Sequence, residues 1–202
     1  GYRTRPVIVG PVTFLLLSKP SVGAPEGYQP LDRLDDLLPV YAELLAALTA
    51  VGAEWVQLDE PALVSESIEA PRDAVLDAAK RAYDALGSAA VRPSIFVAAP
   101  YASLDDALPV LAGTPIEAIG LDLVKGDLPS GFTTDKVLVG GVIDGHNIWR
   151  GDLEAAFASL ESLRGLSPEV AVSTSTSLFH VPHDVEDEPQ LETWLTDWLA
   201  FA

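Results

Sequence analysis

Residues 56–63 read VQLDEPAL, an apolar run that closes on two adjacent carboxylates, Asp59 and Glu60, followed at once by Pro61. Carboxylates crowded at one place raise the pKa of at least one of them. That is a property of a site at the mouth of a parallel barrel; the competing reading is a simple turn before proline. Other apolar runs also turn polar at their ends. They give GPVT (10–13), Tyr101, Asp122, Asp144 with GHNIWR (145–150) behind it, and the hydroxyl run 173–177 followed by His180 and His183. From these the candidate rim is Asp59, Glu60, Asp122, Asp144, Asn147, Trp149 and Arg150. Solvated loops also make strand ends polar, so the pattern alone leaves both readings open.

Several chemistries are excluded or weakened. The three histidines have neither HExxH nor any other metal spacing. The hydroxyl run lacks the GxSxG elbow of a hydrolase. Trp149 and Arg150 read as a cation–π contact or a loop anchor, and Trp55, Trp194 and Trp198 as core or interface residues. Cysteine is absent, which removes disulfides and thiolate chemistry.

The elements that must position the rim alternate in texture. Residues 5–17, 54–63, 92–102, 116–124, 136–144 and 169–177 read as strands. Leucines at steps of three and four predict a helix that ends at Gly52, with Pro39 expected to kink or break it. Further helices are expected after Pro71, after a Ser103 cap, after an Asp152 cap and over the closing EPQLETWLTDWLAFA. Residues 19–30 read as a long βα loop. The repeated βα order with strands apolar on both faces predicts a parallel sheet, either a doubly wound open sheet or a (β/α) barrel. The missing dinucleotide glycine fingerprint weakens the former.

The chain has 202 residues, 49% of them hydrophobic, which favours one folded domain over residues 1–202. Twelve basic against thirty acidic residues give a net charge of -18, which argues against nucleic acid or an anionic membrane as partner. No apolar run approaches the ~20 residues that span a bilayer. Methionine is absent even at position 1, so the start reads as internal to a longer gene product.

Five motifs, VIVGPVTFLLL, EWVQLDEPAL, IEAIGLDLVKG, VGGVIDGHNIWR and STSTSLFHVP, stand in an order and spacing that resembles cobalamin-independent methionine synthase, closest to its N-terminal half. The resemblance implies about six βα units of an eight-unit (β/α)8 barrel. It also implies a cytoplasmic enzyme that moves a methyl group from a folate polyglutamate to homocysteine, with this segment a scaffold that packs on the C-terminal catalytic barrel. In that family the C-terminal barrel binds zinc through a His-x-Cys pair, a Glu and a further Cys. Those positions would fall here on Ala98 and Pro100, on Asp122 and near Thr176. The resemblance therefore implies no cofactor in this segment, zinc only in the absent C-terminal domain, and no activity of the segment alone. The family's basic RELK-like folate segment and its lysine lie upstream of GPVTF and are not present. The alternatives are a stand-alone small-molecule-binding barrel of the uroporphyrinogen decarboxylase and methionine synthase superfamily, or a non-catalytic interaction module.

Two expectations concern geometry. Asp59, Glu60, Asp122 and Asp144 should share one rim and crowd each other. Six units should not close, leaving a gap of about 14 Å, three strand spacings, between first and last strands. Self-association through those exposed edges is then expected.

Overall fold

The computed structural model describes residues 4–200, the side chain of His180 excepted. The apolar runs form β1 (Val7–Val9), β2 (Trp55–Asp59), β3 (Ser94–Ala99), β4 (Ala118–Asp122), β5 (Val137–Ile143) and β6 (Val170–Thr174). All six pair in parallel and in chain order. Between them run α1 (Pro11–Leu17), α2 (Leu34–Ala50), α3 (Arg72–Gly87), α4 (Ala107–Ala112) and α5 (Leu153–Leu163), with a last turn α6 (Thr193–Thr196).

The two sheet faces bury different things, and this separates a barrel from a doubly wound sheet. Ile8, Val56, Leu58, Ile95, Val97, Ile119 and Leu138 pack in one cluster with helix residues such as Val12, Leu45, Tyr83, Leu111 and Leu163. The opposite face carries a second cluster, Phe96, Ala118 and Val139 with Trp55, Ala98 and Val137, all of them strand residues. That face is a lumen. A row of paired residues crosses it at one level: Asp59, Ala98, Gly120, Val139 and Ala171.

The sheet stays open. Among the described residues β1 pairs only with β2, and β6 only with β5. Val7 and Val9 on one edge and Val172 on the other are exposed. Yet Val7 and Ser173 line the same cavity, so the sheet curls toward closure.

Several local expectations are corrected. The first strand ends at Val9, not at residue 17, because Pro11 starts α1 at the position where a missing N–H costs nothing. Residues 19–29 therefore join two helices rather than a strand to a helix. Helix α2 runs through Pro39 unbroken. The proline faces solvent near the helix start, so water can satisfy the freed carbonyl of Asp35. Gly52 ends that helix with φ +89, as its position predicts. Ser103 does not cap α4; its hydroxyl accepts from Asp127 N at 2.7 Å, and the cap position is Asp106. Asp152 does cap α5, accepting from Ala155 N at 3.0 Å. The expected closing helix is one turn, with Trp194 and Trp198 exposed at 63% and 67% rather than in the core; its last two residues lie outside the described residues.

Candidate functional site at the barrel mouth

Strand β2 sets the site's logic. Successive strand side chains point to opposite faces, so adjacent acids at its end cannot serve one place. Asp59, in register with Ala98, faces the lumen. Glu60 turns into the helix layer and is 0% exposed. Its Oε1 accepts from Val12 N at 3.1 Å and from the Tyr83 hydroxyl at 2.7 Å, and its Oε2 accepts from Thr13 N at 2.7 Å. The carboxylate thus satisfies the orphan amides at the N-terminus of α1, where a helix favours negative charge. Gly10 makes room for it: a Cβ there would lie 2.2 Å from Oε1. Thr13 completes the clasp by accepting from Ala62 N at 3.1 Å.

Burial raises the carboxyl pKa of Glu60, opposed by its bonds from Thr13, Tyr83 and Val12. Burial also raises Asp59, opposed by the Gln57 amide, which donates to Oδ1 at 2.7 Å, and by the positive charge of Arg5. The expected crowding is therefore corrected in its cause: desolvation raises these two acids, and neither shift comes from another carboxylate. Burial and the charge of Glu60 push Tyr83 far above its ordinary value. The same two causes lift Tyr41 to about 12, with its hydroxyl donating to Val9 O at 2.7 Å.

Asp122 ends β4, nearly buried, and its oxygens are occupied by the backbone. Oδ2 accepts from Tyr101 N at 2.8 Å, and Oδ1 from Val124 N and Lys125 N, each at 2.9 Å. The bond to Tyr101 holds that residue at φ +92, a conformation side chains rarely adopt. Its ring stacks on His146 with centroids 5.4 Å apart and 13° between planes. Loops after β3 and β5 thus meet across the mouth.

Asp144 organises the loop after β5, accepting from His146 N at 2.8 Å and from the Asn147 amide at 2.6 Å. Asn147 Oδ1 accepts from Trp149 N at 3.0 Å. Trp149 bridges Leu199 in antiparallel fashion, and Arg150 N donates to Trp198 O at 3.0 Å. Trp149 and Arg150 are thus a backbone anchor for the tail; the cation–π contact among the described residues is instead Arg5 over Phe96. The side chain of His180 lies outside the described residues, and His183 is exposed.

The structure brings Asp59 and Asp122 to one lumen cavity of about 300 Å³, with Arg5, Gln57, Phe96, Tyr101 and Thr176 among its lining. Glu60, Asp144, Asn147, Trp149 and Arg150 are not part of that lining. Thr176 contributes a buried hydroxyl without a hydrogen-bond partner among the described residues. Arg5 was missed from sequence, although the signal existed: it lies two residues before Val7 and so shares its face.

Residues 1–168 match the family model described as "Cobalamin-independent synthase, N-terminal domain". A 5-methyltetrahydropteroyltriglutamate–homocysteine methyltransferase of Rhodococcus jostii (strain RHA1) is 52% identical over 201 residues, covering 98% of this chain and 26% of the relative. The enzyme of that name from Streptomyces avermitilis is 49% identical, with 100% and 27% covered. The chain therefore spans about a quarter of the length of the curated relatives it matches. Among solved structures, a putative vitamin-B12 independent methionine synthase of Listeria monocytogenes aligns with TM-score 0.64 at 17% identity, over 87% of this chain and 57% of that one. A B12-independent methionine synthase of Shewanella sp. W3-18-1 aligns with TM-score 0.65 at 15% identity, over 88% and 56%. These two likenesses concern the fold: a parallel barrel of which this chain supplies six strands. With more than half its length matched by the family model, the chain belongs to the family of cobalamin-independent synthase N-terminal domains.

Proposed function

We propose that this chain is part of the N-terminal barrel of a 5-methyltetrahydropteroyltriglutamate–homocysteine methyltransferase of methionine biosynthesis, acting in the cytoplasm as scaffold and domain-packing unit. The observation that carries the reading is the family match over residues 1–168. The partner it calls for is the C-terminal catalytic barrel of the same protein, with folate polyglutamate and homocysteine bound by the whole enzyme. No helix of the described residues is long and apolar enough to cross a membrane.

The donor set at the mouth does not fit zinc. The positions that would carry ligands hold Ala98, Pro100 and Thr176, and Asp122 has three backbone amides on its two oxygens. Among the described residues no three histidines, cysteines or acids stand together as a metal site. A tetrahedral site needs several such ligands, so no step of methyl transfer is assigned to these residues.

The test is a chimera. This chain replaces the matching segment of the Rhodococcus jostii relative, and methionine formation is measured. The reading expects activity within an order of magnitude of the parent. A chimera that is folded, zinc-loaded and inactive would reject it. One observation favours a second reading, a stand-alone small-molecule barrel: the polar cavity of about 300 Å³ at the mouth. A third is a non-catalytic interaction module, suggested by the exposed Trp149, Trp194 and Trp198.

A further inference from the structure

We infer that the lumen of this barrel is built as a site for a small organic cation, and that the chain occupies the site itself with Arg5. The guanidinium carbon of Arg5 lies 4.9 Å from the centroid of the Phe96 ring, inside the range in which an aromatic face attracts a cation. The ring is fixed in place. It lies over Gly120, where a Cβ would come within 2.8 Å of it, and it packs with Ala118 and Val139. Asp59 stands one inward-facing row above, since Gln57 pairs with Phe96 and Asp59 with Ala98. Its Oδ1 takes the Gln57 amide, while Oδ2 has no donor among the described residues. Arg5 influences Asp59 through space but makes no direct ion pair with it. The carboxylate is therefore balanced rather than saturated.

Arg5 lines both the upper cavity of about 300 Å³ and a lower one of about 610 Å³, the latter walled by Trp55, Phe96, Val137 and Val139. The side chain thus stands between the two. An aromatic face and a carboxylate at the wall of a concave space are the elements that recognise guanidinium and ammonium groups. A planar guanidinium suits the ring better than a compact ammonium, because it stacks. The chain's net charge of -18 raises the local concentration of any cation. With Arg5 in place an external cation is shut out, and the lumen is internally liganded.

The experiment is a calorimetric titration of the 202-residue chain with methylguanidinium at constant ionic strength, with methylammonium and acetate as controls. Arg5→Ala should bind methylguanidinium saturably, at least tenfold more tightly than the unaltered chain does. Methylammonium should bind more weakly and acetate not at all. Adding Asp59→Asn or Phe96→Leu to Arg5→Ala should each cost at least tenfold. The inference is overturned if Arg5→Ala does not bind, if the unaltered chain binds equally well, or if acetate binds as tightly. Should Arg5→Ala fail to fold, Arg5→Met keeps the apolar stem over Phe96 and removes the charge. The Asp59 carboxyl, followed by carbon NMR, should then titrate at higher pH than in the unaltered chain; an unchanged titration would overturn the electrostatic half.

Discussion

Replacing Glu60 should cost this fold a large part of its stability, and the size follows from its partners. Glu60→Ala leaves three buried donors, Val12 N, Thr13 N and the Tyr83 hydroxyl, with nothing to bond. A buried group left unsatisfied costs roughly 1–3 kcal/mol. Three such groups, allowing for partial relaxation, give about 3–6 kcal/mol, against a typical total of roughly 5–15 kcal/mol for a domain. Glu60→Gln keeps the shape and one acceptor oxygen, but turns an amide N–H₂ toward a donor. It should cost about 1.5–3 kcal/mol, since one charge-assisted bond is lost outright. The expected order of stability is unaltered chain, then Gln, then Ala.

The pH dependence gives the same reasoning an independent arm. Burial raises the Glu60 carboxyl, so between its unfolded and folded values the folded state holds more protons than the unfolded state. The contribution from protonation is fully present below the unfolded value and is lost as pH rises through the folded one. Stability should therefore fall with rising pH across that window, and Glu60→Gln should flatten the fall. Urea melts followed by far-UV circular dichroism and tryptophan fluorescence, repeated over pH, measure both quantities. Glu60→Gln within ~0.5 kcal/mol of the unaltered chain, the scatter of a neutral surface change, would refute the clasp, and so would a pH slope unchanged by the substitution.

Other outcomes are expected on the same footing. Gly120→Val should destabilise by about 1–3 kcal/mol, because even its Cβ meets the Phe96 ring at 2.8 Å; a thermal melt checks this. Asp152→Ala should cost about 1 kcal/mol by removing the cap on Ala155 N, read from the same melts. Untagged chain purified from zinc-containing medium should carry far less than one zinc per molecule by elemental analysis, and it should form no methionine from homocysteine and the folate methyl donor. The outer edges of β1 and β6, unpaired among the described residues, should make the chain self-associate; sedimentation velocity should show a shift toward monomer for Val7→Lys or Val172→Lys.

The strand order and helix layer were legible because they depend on period and alternation, which sequence displays directly. Runs such as WVQLD and AIGLD have the right length and texture for strands in any context. Boundaries were less legible where tertiary bonds decide them. PVTFLLL is as apolar as a strand, and it becomes helix α1 because Glu60, 47 and 48 residues away, accepts from its first amides. No local pattern in residues 11–17 contains that acceptor. Ser103 has the residue type of a cap, yet its hydroxyl accepts from Asp127 N, 24 residues on.

The adjacent acids mark where local reading ends and three-dimensional reading begins. As letters, Asp59 and Glu60 are equivalent, and a shared rim is a natural inference. The period of two in a strand already forbids it, because one of two neighbours must face the lumen and the other the helices. Parity therefore assigns the roles: the outward acid, locked among Val12, Thr13 and Tyr83, ties α1 to the sheet. The inward acid keeps one oxygen without a donor among the described residues and faces Arg5 in the lumen. The same parity rule selects Arg5 with Val7 and Val9, so the lumen's charges were present in the sequence as a phase, not as a motif. Only the depth at which each side chain ends had to come from the structure.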